Sequence, residues 1–227
     1  MTDNVTPLFG NGPERDRAHQ RMAEAAFDQV IMEGGEPDDA PDDAPDADAA
    51  DAGASPDRLP VRITRLEARH PPRKPVPMPA QRLGLLRLRE VPLAFYRYLF
   101  HGVGAAHHWR TPPGQSDEEL EAELNGPLRE VHVLYVGGAP AGFFELDVGD
   151  PREAVGLNCF GIMPYARGRG LARWLLHEAL MAAWAHDPPR VRLQTNSLDS
   201  PIALRLYQSM GFEVTGSTDG WLILKET

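Results

Sequence analysis

The chain has 227 residues, a single cysteine and a formal net charge of −10 at pH 7, a length that suits one domain plus extra material and is short for two full domains with linkers. Its acidity is local: residues 1–58 hold 15 acidic side chains against four arginines, a net of −11, whereas residues 59–227 hold 18 against 19 basic ones, a net of +1. That near-neutral stretch lacks the basic excess of a nucleic-acid binder, the lone Cys159 excludes an intramolecular disulfide, and no apolar run approaches the roughly 20 residues of a membrane-crossing helix.

At the N-terminus no basic start precedes an apolar core of signal-peptide length, so a cytoplasmic address and no membrane association are expected. Over residues 14–31, Met22, Ala26 and Val30 recur at helical spacing with Ala23, Phe27 and Ile31 alongside, which reads as a weak amphipathic helix, either a frayed tail or a dock for a protein partner. Residues 34–56 are almost entirely Asp, Ala, Pro and Gly, too little apolar surface to offset the entropy of ordering them. We therefore expect a tail over 1–58, with a disordered acidic linker at 34–58, followed by one domain over 59–227.

The domain opens with a strand near residues 61–68, where Val61 and Ile63 alternate with polar side chains. Five prolines in 71–79 impose an extended path, and an apolar stretch follows at 83–88. Pro92 stands as the first-turn proline of a helix over 93–100. Ser116 and Glu119 form a capping box for a second helix, which Asn125 and Gly126 end. Two β-rich runs, 131–136 and 141–148, flank Gly137-Gly138-Ala139-Pro140 and read as a hairpin. A further apolar run, 154–163, leads through a glycine-rich turn into a helix over 170–185, apolar nearly all round except for Arg169, Arg173 and His177. Residues 190–195 form a short strand. Ser200 as N-cap and Pro201 at the first position open a last helix with a buried stripe of Ile202, Leu206 and Met210, closed by Gly211. Residues 212–214 and 221–224 read as a closing strand pair around a turn at 216–220. The order predicts a mixed α/β domain, a central sheet flanked by helices.

Chemistry concentrates where the strand at 154–163 meets the buried helix. There Arg167-Gly168-Arg169-Gly170-Leu171-Ala172 combines glycines, arginines and a helix N-terminus, whose orphan amides and dipole make an anion site. Arg167 and Arg169 add charge-assisted donors. The pattern is neither a P-loop nor a dinucleotide fingerprint, and a packing turn remains the bland alternative.

Arg167 to Ala172 resembles the [QR]-x-x-G-x-[GA] coenzyme signature of the GNAT N-acetyltransferases. Ile162 and Pro164 stand where that family often has an apolar residue and a proline. Downstream, Ala203-Leu204-Arg205-Leu206-Tyr207-Gln208-Ser209-Met210-Gly211-Phe212 is similar to the family's A-x-x-L-Y-x-x-x-G-F signature. The resemblance implies a GNAT fold with a mostly antiparallel sheet. It also implies acetyl-CoA as co-substrate with no metal, and transfer of the acetyl group to an amine of a small molecule or peptide.

By the same resemblance, main-chain amides from Arg167, Gly168, Arg169, Gly170, Leu171 and Ala172 bind the coenzyme diphosphate, and the strand end at Phe160, Gly161 and Ile162 pairs with its pantetheine arm. Asn196 contacts that arm or caps its own turn. Tyr207 protonates the departing thiolate or merely packs; a phenol titrating at about 10 and a thiol at roughly 8.5 are matched for that transfer. Many family members carry a glutamate on the strand before the diphosphate loop, but residues 156–160 hold no acid. Glu145 and Asp147 on the hairpin are substitutes, or else solvent-facing strand residues; either Glu145 is the base or ordered water does that work. The gap leaves a second reading open, a non-catalytic acyl-CoA-binding module whose acidic tail engages a partner.

Other residues weigh less. His101, His107 and His108 have no acid or cysteine nearby and make a poor metal set. Cys159 sits within an apolar strand and reads as a structural thiol. Phe95, Tyr96, Tyr98, Phe100, Trp109 and Arg110 either wall an acceptor pocket or fill the core.

Overall fold

The computed structural model describes residues 31–33, 58–109 and 115–223. The expected tail helix and acidic linker lie outside these residues, apart from Ile31, which opens a short strand, and Arg58. In chain order the strands are β1 (Ile31–Glu33), β2 (Arg58–Ala68), β3 (Leu83–Arg87), β4 (Arg129–Val136), β5 (Ala139–Asp147), β6 (Val155–Ile162), β7 (Val191–Asn196) and β8 (Glu213–Ile223). The α-helices are α1 (Leu93–Gly104), α2 (Asp117–Leu124), α3 (Leu171–Trp184) and α4 (Ala203–Ser209). Among the described residues the strands form one sheet in the order β1-β8-β2-β7-β6-β5-β4-β3. Every neighbouring pair is antiparallel except β6 and β7, which are parallel. The mixed, mostly antiparallel sheet with flanking helices is the expected fold class.

Local chemistry explains most elements. Gly137 and Gly138 have φ of 62° and 91°, the left-handed pair that a tight hairpin between β4 and β5 requires. Ser116 accepts from the Glu119 amide while the Glu119 carboxylate accepts from the Ser116 amide, completing the capping box of α2. α3 buries Leu171, Trp174, Leu175, Leu176, Ala179, Leu180 and Ala183. It lies on the face of β5 where a Cβ added to Gly142 would touch Leu175. α1 covers the other face, with Tyr96 edge-on to Phe143. β5 is therefore buried on both sides from Ala141 to Asp147, and its residues do not alternate between core and water.

Three expectations are corrected. The closing strands are one continuous strand, β8, because residues 213–223 pair along nearly all of β2 and the glycines at 216 and 220 stay in the ladder; Leu224 lies outside the described residues. The last helix begins at Ala203, with Ile202 as its N-cap and no side-chain cap, so Ser200 contributes only its carbonyl, to the Ala203 amide at 2.8 Å. Ile202 is 66% exposed and leaves the buried stripe, while Tyr207 joins Met210 in the core.

Candidate active site

The parallel pairing of β6 and β7 lasts only from Val155↔Val191 to Leu157↔Leu193. Beyond that point both strands continue without a shared ladder, and a cleft lies between them, lined by Asn158, Phe160 and Ile162 on one wall and Gln194, Thr195 and Asn196 on the other. The Met163 amide bonds to the Ala141 carbonyl on the β5 side. Because main-chain groups alternate along a strand, those of Phe160 and Ile162 point the opposite way, into the cleft. Gly161 permits a close approach here. A Cβ on it would sit 2.1 Å from Val103 Cγ1, so only glycine lets the end of α1 pack against β6.

At the head of the cleft, β6 passes through a 3₁₀ turn at Pro164–Ala166 into the exposed residues 167–170. Gly168 and Gly170 both have φ of 75°, and a side chain there would meet open space. Gly170 is the N-cap of α3 and supplies no side-chain cap, and the first turn holds no acid. α2 is the internal contrast, with a complete capping box and Asp117, Glu118 and Glu119 in its first turn. Among the described residues, no turn or inter-element hydrogen bond draws on the amides of Gly168, Arg169 or Gly170. Those of Leu171 and Ala172, first in the helix, have no intrahelical acceptor. The Arg167 amide differs, since it donates to the Pro164 carbonyl at 3.3 Å. The Arg167 guanidinium donates from Nε to the Ile162 carbonyl at 3.2 Å and from NH2 to the Val103 carbonyl at 3.4 Å, tying the turn to β6 and α1. The arrangement fits a diphosphate: open amides, a positive helix end, glycines that admit close approach, and a fixed cation beside them.

Deeper in the cleft, Tyr207 is 8% exposed, with its ring edge-on to Phe160 and Phe212. Its hydroxyl has no hydrogen-bond partner among the described residues. Burial first, then the nearby Asp199 and Cys159, push the phenol well above its ordinary titration range, so it keeps its proton. The Asn196 side-chain oxygen accepts from the Leu198 amide at 2.8 Å, the expected turn cap, while the residue also lines the cleft.

Sequence reasoning had not found Asp199. Its carboxylate accepts from the Thr195 hydroxyl at 2.7 Å, the Asn196 amide at 3.0 Å and the Trp109 indole at 3.2 Å. Trp109 and Asp199 both line the cleft, whereas Tyr96 and Phe100 are core residues and Tyr98 is half exposed. Arg110 lies outside the described residues.

Glu145 and Asp147 are not solvent-facing; each is 5% exposed. The Glu145 carboxylate accepts from the Tyr96 hydroxyl at 2.8 Å and from the Asn158 amide at 3.4 Å, and lies 3.7 Å from the Arg129 guanidinium. Burial raises its carboxyl above the ordinary range, opposed by Arg129 and by the Tyr96 hydrogen bond. Glu145 stands behind Asn158 and is not among the residues lining the cleft. Cys159 is buried beside Tyr96, and burial pushes its thiol far up, which leaves it inert.

Residues 127–214 match the family model described as Acetyltransferase (GNAT) domain. Over these residues the chain is similar to the GNAT acetyltransferase domain. The matched span contains both walls of the cleft, the turn at 167–170 and Tyr207. Among solved structures, the chain is similar to the GCN5-related N-acetyltransferase from Sphaerobacter thermophilus at 20% identity and a TM-score of 0.52, covering 75% of this chain and 54% of that one. A tandem GNAT protein from the clavulanic acid biosynthesis pathway aligns at 16% identity and a TM-score of 0.51, over 73% of this chain and 54% of that one. These likenesses establish the GNAT fold, and this chain spans about half the length of each relative. None of the curated proteins compared matches the sequence. Among the described residues, no helix is long and apolar enough to cross a membrane, and no group of three or more His, Cys, Asp or Glu residues is placed to hold a metal ion.

Proposed function

We propose that this GNAT protein is an acetyl-CoA-dependent N-acetyltransferase that passes the acetyl group directly to an amine of a small molecule or peptide bound beside the coenzyme. The observation that carries the reading is the uncapped start of α3 at the head of the β6–β7 cleft, since free amides and an unpaired strand edge converge there with Tyr207. Bound in this way, acetyl-CoA supplies the activated acetyl group. The amides of Gly168, Arg169, Gly170, Leu171 and Ala172 hold its diphosphate, with Arg167 alongside. The main-chain groups of Phe160 and the amide of Ile162, flanking Gly161, receive the pantetheine arm, and Asn196 bounds it from β7.

Backbone donors of β6 stabilise the acetyl oxygen as it gains negative charge. Holding both reactants together removes much of the entropic barrier. Tyr207, without another partner, gives its proton to the sulfur as thiolate charge develops beside it; burial makes it a weaker acid than a free phenol, so the matched titration expected from sequence does not hold here. Glu145 acts at a distance in this reading, through its hydrogen bond to Asn158.

Incubation with acetyl-CoA and a panel of amines should release free thiol. Arg167→Glu should abolish coenzyme binding measured by calorimetry, and unchanged affinity in that variant would dismiss the assigned site. The absence of an acid among the residues lining β6's side of the cleft favours a second reading, a non-catalytic acyl-CoA-binding module. Robust thiol release would eliminate it.

A further inference from the structure

If the domain transfers acetyl groups to amines, something must take the proton from the attacking nitrogen, and neither wall of the β6–β7 splay offers an acid free for the task. Glu145 is closed behind Asn158 and bonded to Tyr96. Asp199 spends its two oxygens on three donors. We propose that His107 is the general base of this site.

The local fold presents it. After α1, the chain turns through a short 3₁₀ segment, Ala105–His107, and reverses at His108, which has φ of 57°. The reversal packs Trp109 onto Gly104, where an added Cβ would sit 2.3 Å from Trp109 Cγ. This knuckle reaches the loop after β7 at two points. Trp109 Nε1 donates to Asp199 Oδ1 at 3.2 Å, and His107 Nδ1 lies 3.1 Å from the Leu198 carbonyl oxygen. His107 lines the same cleft as Phe160, Asn158 and Tyr207.

The tautomer follows from the partner. A carbonyl oxygen only accepts, so Nδ1 carries the hydrogen and the lone pair is on Nε2. Nε2 has no partner among the described residues. An imidazole fixed through one nitrogen with the other basic and free is the arrangement that proton abstraction requires. The charged and titratable groups lining the cleft around it are Asp199, on the loop bonded to its own segment, Tyr207 on α4, and Arg167, whose guanidinium also binds the Val103 carbonyl.

The protons balance. Nε2 takes one from the ammonium form of the acceptor, and the neutral nitrogen attacks the thioester carbon. As the C–N bond forms and the C–S bond breaks, Tyr207 protonates the sulfur. The second proton leaving the nitrogen restores Tyr207, and His107 releases the first to water. One amide, one thiol and one proton result.

This assignment rests on the acetyltransferase reading, and the test separates the two. In His107→Asn, the side-chain amide still reaches the Leu198 carbonyl but no basic nitrogen remains. We expect kcat to fall about 100-fold or more, with acetyl-CoA affinity unchanged within twofold. His107→Gln should lose the acid limb of the kcat profile, and imidazole added to His107→Ala should restore turnover in proportion to its free-base form. Near-wild-type turnover in His107→Asn, or an unaltered pH profile in His107→Gln, would overturn the base assignment while leaving acetyl transfer intact. No thiol release by the wild-type protein with any amine would overturn both.

Discussion

The buried charge cluster behind the cleft makes a quantitative prediction for Arg129→Met. The Arg129 side chain is 6% exposed, bonds Glu123 through Nε at 2.9 Å, and places NH1 3.7 Å from Glu145 and 3.5 Å from Asp147. Methionine fills a similar volume but leaves the Glu145 carboxylate buried without a counter-charge, an arrangement costly to folding. The penalty has a ceiling, because the carboxyl can escape by taking a proton. From its ordinary value near 4.5, that escape costs about 1.4 kcal/mol per pH unit, hence at most about 3.5 kcal/mol at pH 7 and under about 1 kcal/mol at pH 5. The wild-type protein already bears part of this cost, since burial has raised the Glu145 carboxyl: its stabilising contribution is full below about pH 4.5 and declines as the pH rises through the folded-state value. The lost bonds to Glu123 add roughly 1 kcal/mol at any pH. Urea unfolding followed by tryptophan fluorescence should therefore show Arg129→Met destabilised by roughly 3–4 kcal/mol at pH 7 and by roughly 1–2 kcal/mol at pH 5. Equal losses at the two pH values would refute the ion-pair reasoning and reduce Arg129 to a packing residue.

Further substitutions test the cleft itself. Tyr207→Phe keeps the ring contacts with Phe160 and Phe212 but removes the proton, so kcat should fall by about 10²-fold with the KM for acetyl-CoA nearly constant; a parallel rise in KM would indicate a binding role instead. Gly161→Ala forces a methyl to within 2.1 Å of Val103 Cγ1, and should cost about 1–3 kcal/mol in thermal unfolding. Adding Val103→Ala should recover most of that loss, and a neutral Gly161→Ala would show that α1 yields freely.

Much of this was legible in the sequence because the responsible signals are short. Gly137-Gly138, Ser116 with Glu119, and the glycines before Leu171 each act over a few residues, and each sits in the conformation its chemistry demands. What escaped depends on partners far along the chain. The run from Gly216 to Gly220 carries turn residues, yet pairing with β2 holds it extended. Glu145 and Asp147 looked solvent-facing because alternation on a hairpin strand normally means one wet face; helices on both faces of β5 remove that face. His107 drew notice only as one of three close histidines, since nothing local reveals that the reversal at His108 brings it to Leu198, 91 residues away.

The helix starts within this chain supply their own control. A capping side chain is worth about 1 kcal/mol, and α2 uses one, with three acids added in its first turn. α3 is longer and more deeply buried, yet begins at a left-handed glycine with neither cap nor acid. Packing does not explain the difference, because a side chain at Gly168 or Gly170 would meet empty space. Where a sequence satisfies a rule in one place and forgoes it where space allows, the unmet groups are available to something outside the chain. The same logic applies to the strands: β6 and β7 share a ladder for three residue pairs and then part, so that main-chain groups such as those of Phe160 have no ladder partner beside those amides, while the Ile162 carbonyl and the Asn196 amide are taken by side chains. Two independent deficits of hydrogen bonding meet at one cleft. A single extended ligand with an anionic head and an amide-bearing arm satisfies both at once, whereas a compact anion such as free phosphate would leave the strand edges unmet.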